Sequence, residues 1–163
     1  MNYRIITKYS YLIAFLLLTN SVFSQNEKQE KMELLNFMVG EWIGTSKVYE
    51  KGMVSKQGSA YQKITYDIDK SILVIELNTE LLQLHTIIYY DEKDNKYYYY
   101  AFSKRGVSRY PAEYKNGQLI VWSNEKNRFI FNRTLDGGFR EYGEQLVDGK
   151  WTKYFEDTFK NSQ

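Results

Sequence analysis

From residue 40 to its end the chain is a succession of short segments rich in tyrosine, phenylalanine, valine and isoleucine, each closed by a turn signal. Lys51-Gly52, Asp69-Lys70, Asn116-Gly117, Asp136-Gly137-Gly138 and Asp148-Gly149 supply turns, and Asp91 to Asn95 is a charged run without an apolar residue. Asn-Gly and Asp-Gly pairs between such segments specify two-residue hairpins, because a type I′ turn needs positive φ at both central residues. The strands predicted from this pattern are 41–50, 58–67, 72–78, 82–90, 97–102, 112–114, 119–123, 128–134, 139–147 and 151–159. The four consecutive tyrosines Tyr97 to Tyr100 suit a half-buried pleated surface better than a helix, and alternation must split them two in and two out. Lys104 to Arg109 reads as a longer loop, and Pro111, the single proline, reduces the strand after it to a weak or edge strand. No helix-length pattern separates the strands, which argues against a parallel βαβ fold. Strands at this spacing predict an all-β protein, a sheet rolled into one antiparallel barrel around a pocket.

The segment before residue 40 is different. Arg4 and Lys8, the apolar run Tyr11 to Leu18, and the small residues Val22 and Ser24 form the three parts of a secretory leader. The apolar run is too short to span a bilayer, which takes about 20 residues. The expected organisation is therefore a leader over 1–24, cut after Ser24, and one domain over 25–163, periplasmic or secreted. With Arg4 and Lys8 removed, the 22 basic residues fall to 20, equal to the 20 acidic ones. A neutral domain offers neither the basic excess that nucleic acid demands nor electrostatic docking on anionic lipid. There is no cysteine, so disulfides, thiolate metal sites and thiol catalysis are excluded. Met32, Leu35, Met38 and Val39 recur at helical spacing and predict a short helix over Lys28 to Phe37.

Gly40-Glu41-Trp42, following that helix and opening the first strand, resembles the Gly-x-Trp signature of lipocalins and other calycins. Leu34 to Gly44 (LLNFMVGEWIG), Leu73 to Glu76 (LVIE), the strand around His85 and the ending Asp148 to Phe159 (DGKWTKYFEDTF) follow in one order. That order resembles a large group of secreted bacterial lipocalin-like domains of unknown function, distantly related to nitrobindin and fatty-acid-binding-protein barrels. The resemblance implies a single calycin-like barrel of about ten strands with a short N-terminal helix capping one end, and an interior open to a small molecule. It supplies no catalytic residues. Nitrobindins hold haem through a histidine near the C-terminus, whereas Trp151 to Phe159 contains none. No cofactor or metal is therefore expected.

The expected function is non-catalytic binding of a small hydrophobic or amphipathic ligand, with Trp42, His85, Tyr99, Trp122, Arg133 and Glu144 as candidate ligand-binding residues. Trp42 would line the floor. His85, the lone histidine, would be a polar anchor if it points inward, with an outward, satisfied imidazole as the other reading. An Arg/Glu pair drawn from Arg128, Arg133, Arg140, Glu76, Glu144 and Glu156 would orient a ligand inside, or else pair across strands outside. On the last strand Phe155 and Phe159 share one face, and Tyr154, Glu156 and Thr158 the other. Two other classes stay open. One is an interaction barrel filled by its own tyrosines, acting through an exposed edge. The other is a small-substrate enzyme using His85. An outer-membrane barrel is disfavoured by strands shorter than the roughly 9–11 residues a crossing needs and by charges on both faces.

Overall fold

The computed structural model describes residues 27–162; the expected leader, 1–24, lies outside them. Residues 27–33 are helical, and a 3-10 turn, Asn36–Met38, leads into ten strands. These are β1 (Gly40–Glu50), β2 (Met53–Asp67), β3 (Ile72–Thr79), β4 (Gln83–Asp91), β5 (Lys96–Ser103), β6 (Gly106–Lys115), β7 (Gln118–Asn124), β8 (Asn127–Arg133), β9 (Phe139–Val147) and β10 (Lys150–Asn161). Each strand pairs antiparallel with the next, and β10 returns to β1 to close the barrel. The architecture is the expected one: all-β, one closed antiparallel barrel of ten strands, with a helical segment at one end.

Turn chemistry sets the hairpins. Asn116 and Gly117 hold φ of 52° and 77°, and Lys51-Gly52 and Asp148-Gly149 repeat that pair of positive values, as type I′ turns require. Closure depends on Gly44 in β1. A Cβ there would meet the Thr158 carbonyl oxygen of β10 at 1.9 Å, so only glycine lets the first and last strands approach so closely.

The structure departs from the expected elements in three places. The predicted helix over Lys28 to Phe37 stops at residue 33 and re-forms as a 3-10 turn. Side chains of the barrel take its carbonyls: the Tyr97 hydroxyl donates to Lys31 O at 2.6 Å, Tyr66 to Met32 O at 2.8 Å and Trp42 Nε1 to Met38 O at 2.7 Å. These bonds satisfy carbonyls that a helix end leaves orphaned. Second, the loop expected over Lys104 to Arg109 is a tight turn, and β6 already runs from Gly106. Pro111 lies inside it opposite Tyr98. Pairing with β7 begins only at Ala112, so no ladder partner on that side waits for the amide hydrogen that proline lacks. Third, the strands are longer than expected, 11, 15 and 12 residues for β1, β2 and β10. Length alone therefore does not argue against a membrane barrel. The outer wall does, since it carries the ion pairs Lys63–Glu41, Arg128–Glu144 and Arg140–Glu156 where a lipid-facing band would be apolar. Among the described residues no helix is long and apolar enough to cross a membrane.

The core fills only one end. Met32, Leu35 and Met38 from the helical segment are fully buried against Trp42, Ile64, Leu73, Phe131, Phe139 and Phe159. Phe139 is the centre of this layer, stacked between Phe131 and Phe159 at centroid distances of 6.2 and 5.6 Å with Trp42 at 5.7 Å. Such aromatic contacts add to the area they bury.

Candidate functional site: a hollow at the open end

Inward-facing side chains shrink along the barrel axis. β1 points Trp42, Gly44, Ser46 and Val48 inward, in that order from the helical end; β5 points Tyr97, Tyr99, Ala101 and Ser103; β9 points Phe139, Glu141 and Gly143. Large rings at one end give way to alanine, serine and glycine at the other, and the space they leave is a cavity of about 510 Å3. That volume lies within the range of small-molecule sites. Its wall is mostly apolar, with Val48, Leu77, Leu84, Ala101, Phe129 and Phe155 around it. Leu81 and Leu82, in the β3–β4 turn, reach into the cavity while staying partly exposed at its rim, and Arg105 stands on the neighbouring β5–β6 turn.

The floor is polar. Glu141 on β9 and Asp157 on β10 lie directly opposite each other in the ladder, both line the cavity, and they are only 4% and 3% exposed. Burial pushes the Glu141 carboxyl up to about 8, helped by the charge of Asp157 and opposed by a hydrogen bond from Gln62. Burial likewise raises Asp157, to about 6, against a bond from Ser46. Two carboxyls side by side in a place of low dielectric resist ionising together. Gln62 Nε2 reaches Glu141 Oε2 across the interior at 3.5 Å. Tyr99, buried beside them, accepts a hydrogen bond from Thr86 Oγ1 at 3.3 Å, and burial holds its hydroxyl protonated.

A bulge in β10 completes the site. The register with β9 shifts between Lys153 and Phe155, so Tyr154 is an extra residue and lines the cavity together with Phe155. The expected partition of the last strand, with Tyr154 on the face of Glu156 and Thr158, fails there because a bulge breaks period-two alternation. Burial lifts the Tyr154 hydroxyl to about 12, with the charge of Glu141 adding to the effect.

Of the six residues expected to bind ligand, Tyr99 lines the cavity and Trp42 lies below its floor, closing the packed end. The other four do not line it. His85 is exposed on the outer wall, across from Glu76 and beside Phe102. Glu144 is outside, where Arg128 Nε and Nη2 both donate to its Oε2 at 2.9 and 2.7 Å, and that guanidinium stacks on Trp151 and approaches Trp122. Trp122 donates to Glu113 on the same outer surface. Arg133 is exposed at the helical end. Of the two arrangements open to the Arg/Glu set, the structure has the outer one: Arg128 pairs with Glu144 and Arg140 with Glu156 across strands on the outer wall. Glu141 and Asp157 were the missed residues, although each sits at an inward position of its strand, between Phe139 and Gly143 and between Phe155 and Phe159.

No family model and no curated protein matches the chain. Among solved structures, the zebrafish ileal bile acid-binding protein, crystallised with cholic acid, aligns with 77% of this chain and 98% of its own at 11% identity and a TM-score of 0.45.

Proposed function

We propose that this protein is a non-catalytic binder that holds a small amphipathic molecule in the open half of its barrel. The cavity of about 510 Å3 carries this reading. A barrel filled by its own tyrosines would have no such space, and of Tyr97 to Tyr100 only Tyr97 and Tyr99 turn inward. An apolar body would gain about 25 cal/mol for each Å2 it buries against the wall. The leucines of the β3–β4 turn form an apolar rim for entry. His85 faces solvent rather than the cavity, so a substrate in the hollow would be out of its reach, and the enzyme reading loses its one imidazole.

The location belongs to the same proposal. Cleavage after Ser24 would deliver the domain to the periplasm or the medium, as a member of the secreted bacterial lipocalin-like group that its sequence order resembles. Two measurements test the whole. N-phenyl-1-naphthylamine, a neutral dye that brightens in apolar surroundings, should bind and be excluded by Ala101→Trp, which fills the hollow. Native mass spectrometry of protein from its own source should find a retained guest, and Edman sequencing of the same material should begin at Gln25. A dye that stays dark with the wild-type protein would refute the binding reading, and an N-terminus at Met1 would refute the secreted one.

A further inference from the structure

The hollow has a floor whose hydrogen-bonding capacity the barrel does not use up. Among the described residues Asp157 Oδ1, which lines the cavity, is buried without a partner; so, behind the lining, is Gln62 Oε1, the amide oxygen whose nitrogen donates to Glu141. Gln62 is 1% exposed. Both unsatisfied atoms are acceptors, and a buried acceptor left unpaired has lost its bonds to water without replacement. A group that completes this floor must donate hydrogen bonds. Next to two carboxyls it gains most if it is also positive.

The surroundings agree. Tyr99 on β5, Tyr110 on β6 and Tyr154 on β10 line the same cavity, Tyr99 and Tyr154 within reach of the charge of Glu141, and Ser46 on β1 bonds Asp157. Glu156, next in sequence to Asp157, points outward to Lys153 at 2.6 Å and Arg140 at 3.7 Å. Among the described residues Arg105 is the one basic side chain lining the cavity, and it stands at the exposed rim rather than at the floor. A carboxylate driven to the bottom would meet two carboxyls and no cation. From this arrangement we infer that the guest carries a protonated amine or amidinium, seated on Asp157 and Glu141, with its apolar body directed toward Leu82, Leu84 and Phe129. The inference rests on the binding reading above and names the chemical class of the guest.

It has a thermodynamic signature. Burial and mutual repulsion raise both carboxyls, so at neutral pH the pair still holds a proton between them. A cation on the floor favours the ionised form of both, so binding expels a proton. Calorimetry in two buffers of different ionisation enthalpy reads that proton directly.

The test is competition against bound N-phenyl-1-naphthylamine by decylamine, decanol and decanoate, which share one chain and differ in the head group. Decylamine should displace the dye at least roughly tenfold more tightly than decanoate, as expected for charge-assisted hydrogen bonds in a buried site, and should release a proton at about pH 7. The double variant Glu141→Gln/Asp157→Asn should lose that preference while still taking up the dye. Bound dye displaced equally well or better by decanoate or decanol would overturn the cationic guest and leave barrel binding standing. Failure of the dye and of all three competitors would overturn both. Should the double variant not fold, the wild-type ranking and the proton count decide alone.

Discussion

The helical end and the open end of this barrel are made from the same ten strands, and each strand contributes to both. At the helical end most inward positions hold a ring or a large aliphatic side chain, and hydrogen bonds from Trp42, Tyr66 and Tyr97 fasten the helical segment over it. At the open end the same strands place alanine, serine and glycine inward, and the strand ends surround a hollow. Between the two lies a belt of polar groups, Gln62, Thr86, Tyr99, Glu141 and Asp157, which neither end can use as core. The difference teaches that stability and recognition are separated along the axis. The filled half supplies the free energy of folding, which lets the belt carry two carboxyls whose burial works against it.

The largest test of that division is Phe139→Ala. It removes the ring stacked between Phe131 and Phe159 and should cost about 3–5 kcal/mol, read as a lower urea midpoint. A loss below about 1 kcal/mol would mean that the helical end does not hold the fold together. The mirror experiment is Ala101→Trp, at the hollow end. It should reduce uptake of the neutral dye at least roughly tenfold while changing stability by only about 1 kcal/mol, because the indole enters space that no side chain occupies. Undiminished uptake would place the dye somewhere other than the hollow.

The belt between them makes a prediction in pH. Glu141 and Asp157 both titrate above their ordinary values, so their neutral forms suit the fold and their ionised forms do not. Their contribution is complete below the usual carboxylate range, falls as pH rises through about 6 for Asp157 and is gone once pH passes about 8 for Glu141. Thermal stability should therefore decline from weakly acid to weakly alkaline solution. Glu141→Gln should remove the upper part of that decline and leave the variant about 1–3 kcal/mol more stable than wild type above it. A melting temperature independent of pH over this window would mean the pair is solvated rather than buried.

The fold was legible because its signals are local. Asn116-Gly117 and Asp148-Gly149 fix hairpins without help from the rest of the chain, and period two then assigns most inward positions. The site was harder to read for two physical reasons. Alternation gives relative faces but not absolute ones, and the choice depends on burial. Arg128, Glu144 and Trp122 looked like pocket residues because a charged, aromatic set suits a pocket as well as it suits a stacked outer wall. The bulge at Tyr154 also resets the faces of β10, and nothing in Lys153-Tyr154-Phe155 announces it. Asp157 was nonetheless within reach: a carboxylate between two phenylalanines of the inward set is a polar residue in a core position. His85 drew attention by being the one imidazole, which is a fact of composition and says nothing of direction.

The smallest expected effect separates inside from outside on a single strand. His85 and Thr86 are neighbours on β4, so their side chains point to opposite faces: the imidazole to solvent, the hydroxyl to Tyr99 at the floor of the hollow. His85→Ala removes an exposed ring and should change stability by less than about 0.5 kcal/mol and leave dye binding untouched. Thr86→Val keeps the shape but takes the donor from the Tyr99 oxygen, and should cost about 1 kcal/mol and alter the fluorescence of the bound dye. Dye binding that followed His85 and ignored Thr86 would put the guest on the outer wall of the open end. The division along the barrel axis would then describe how the protein folds and not what it binds.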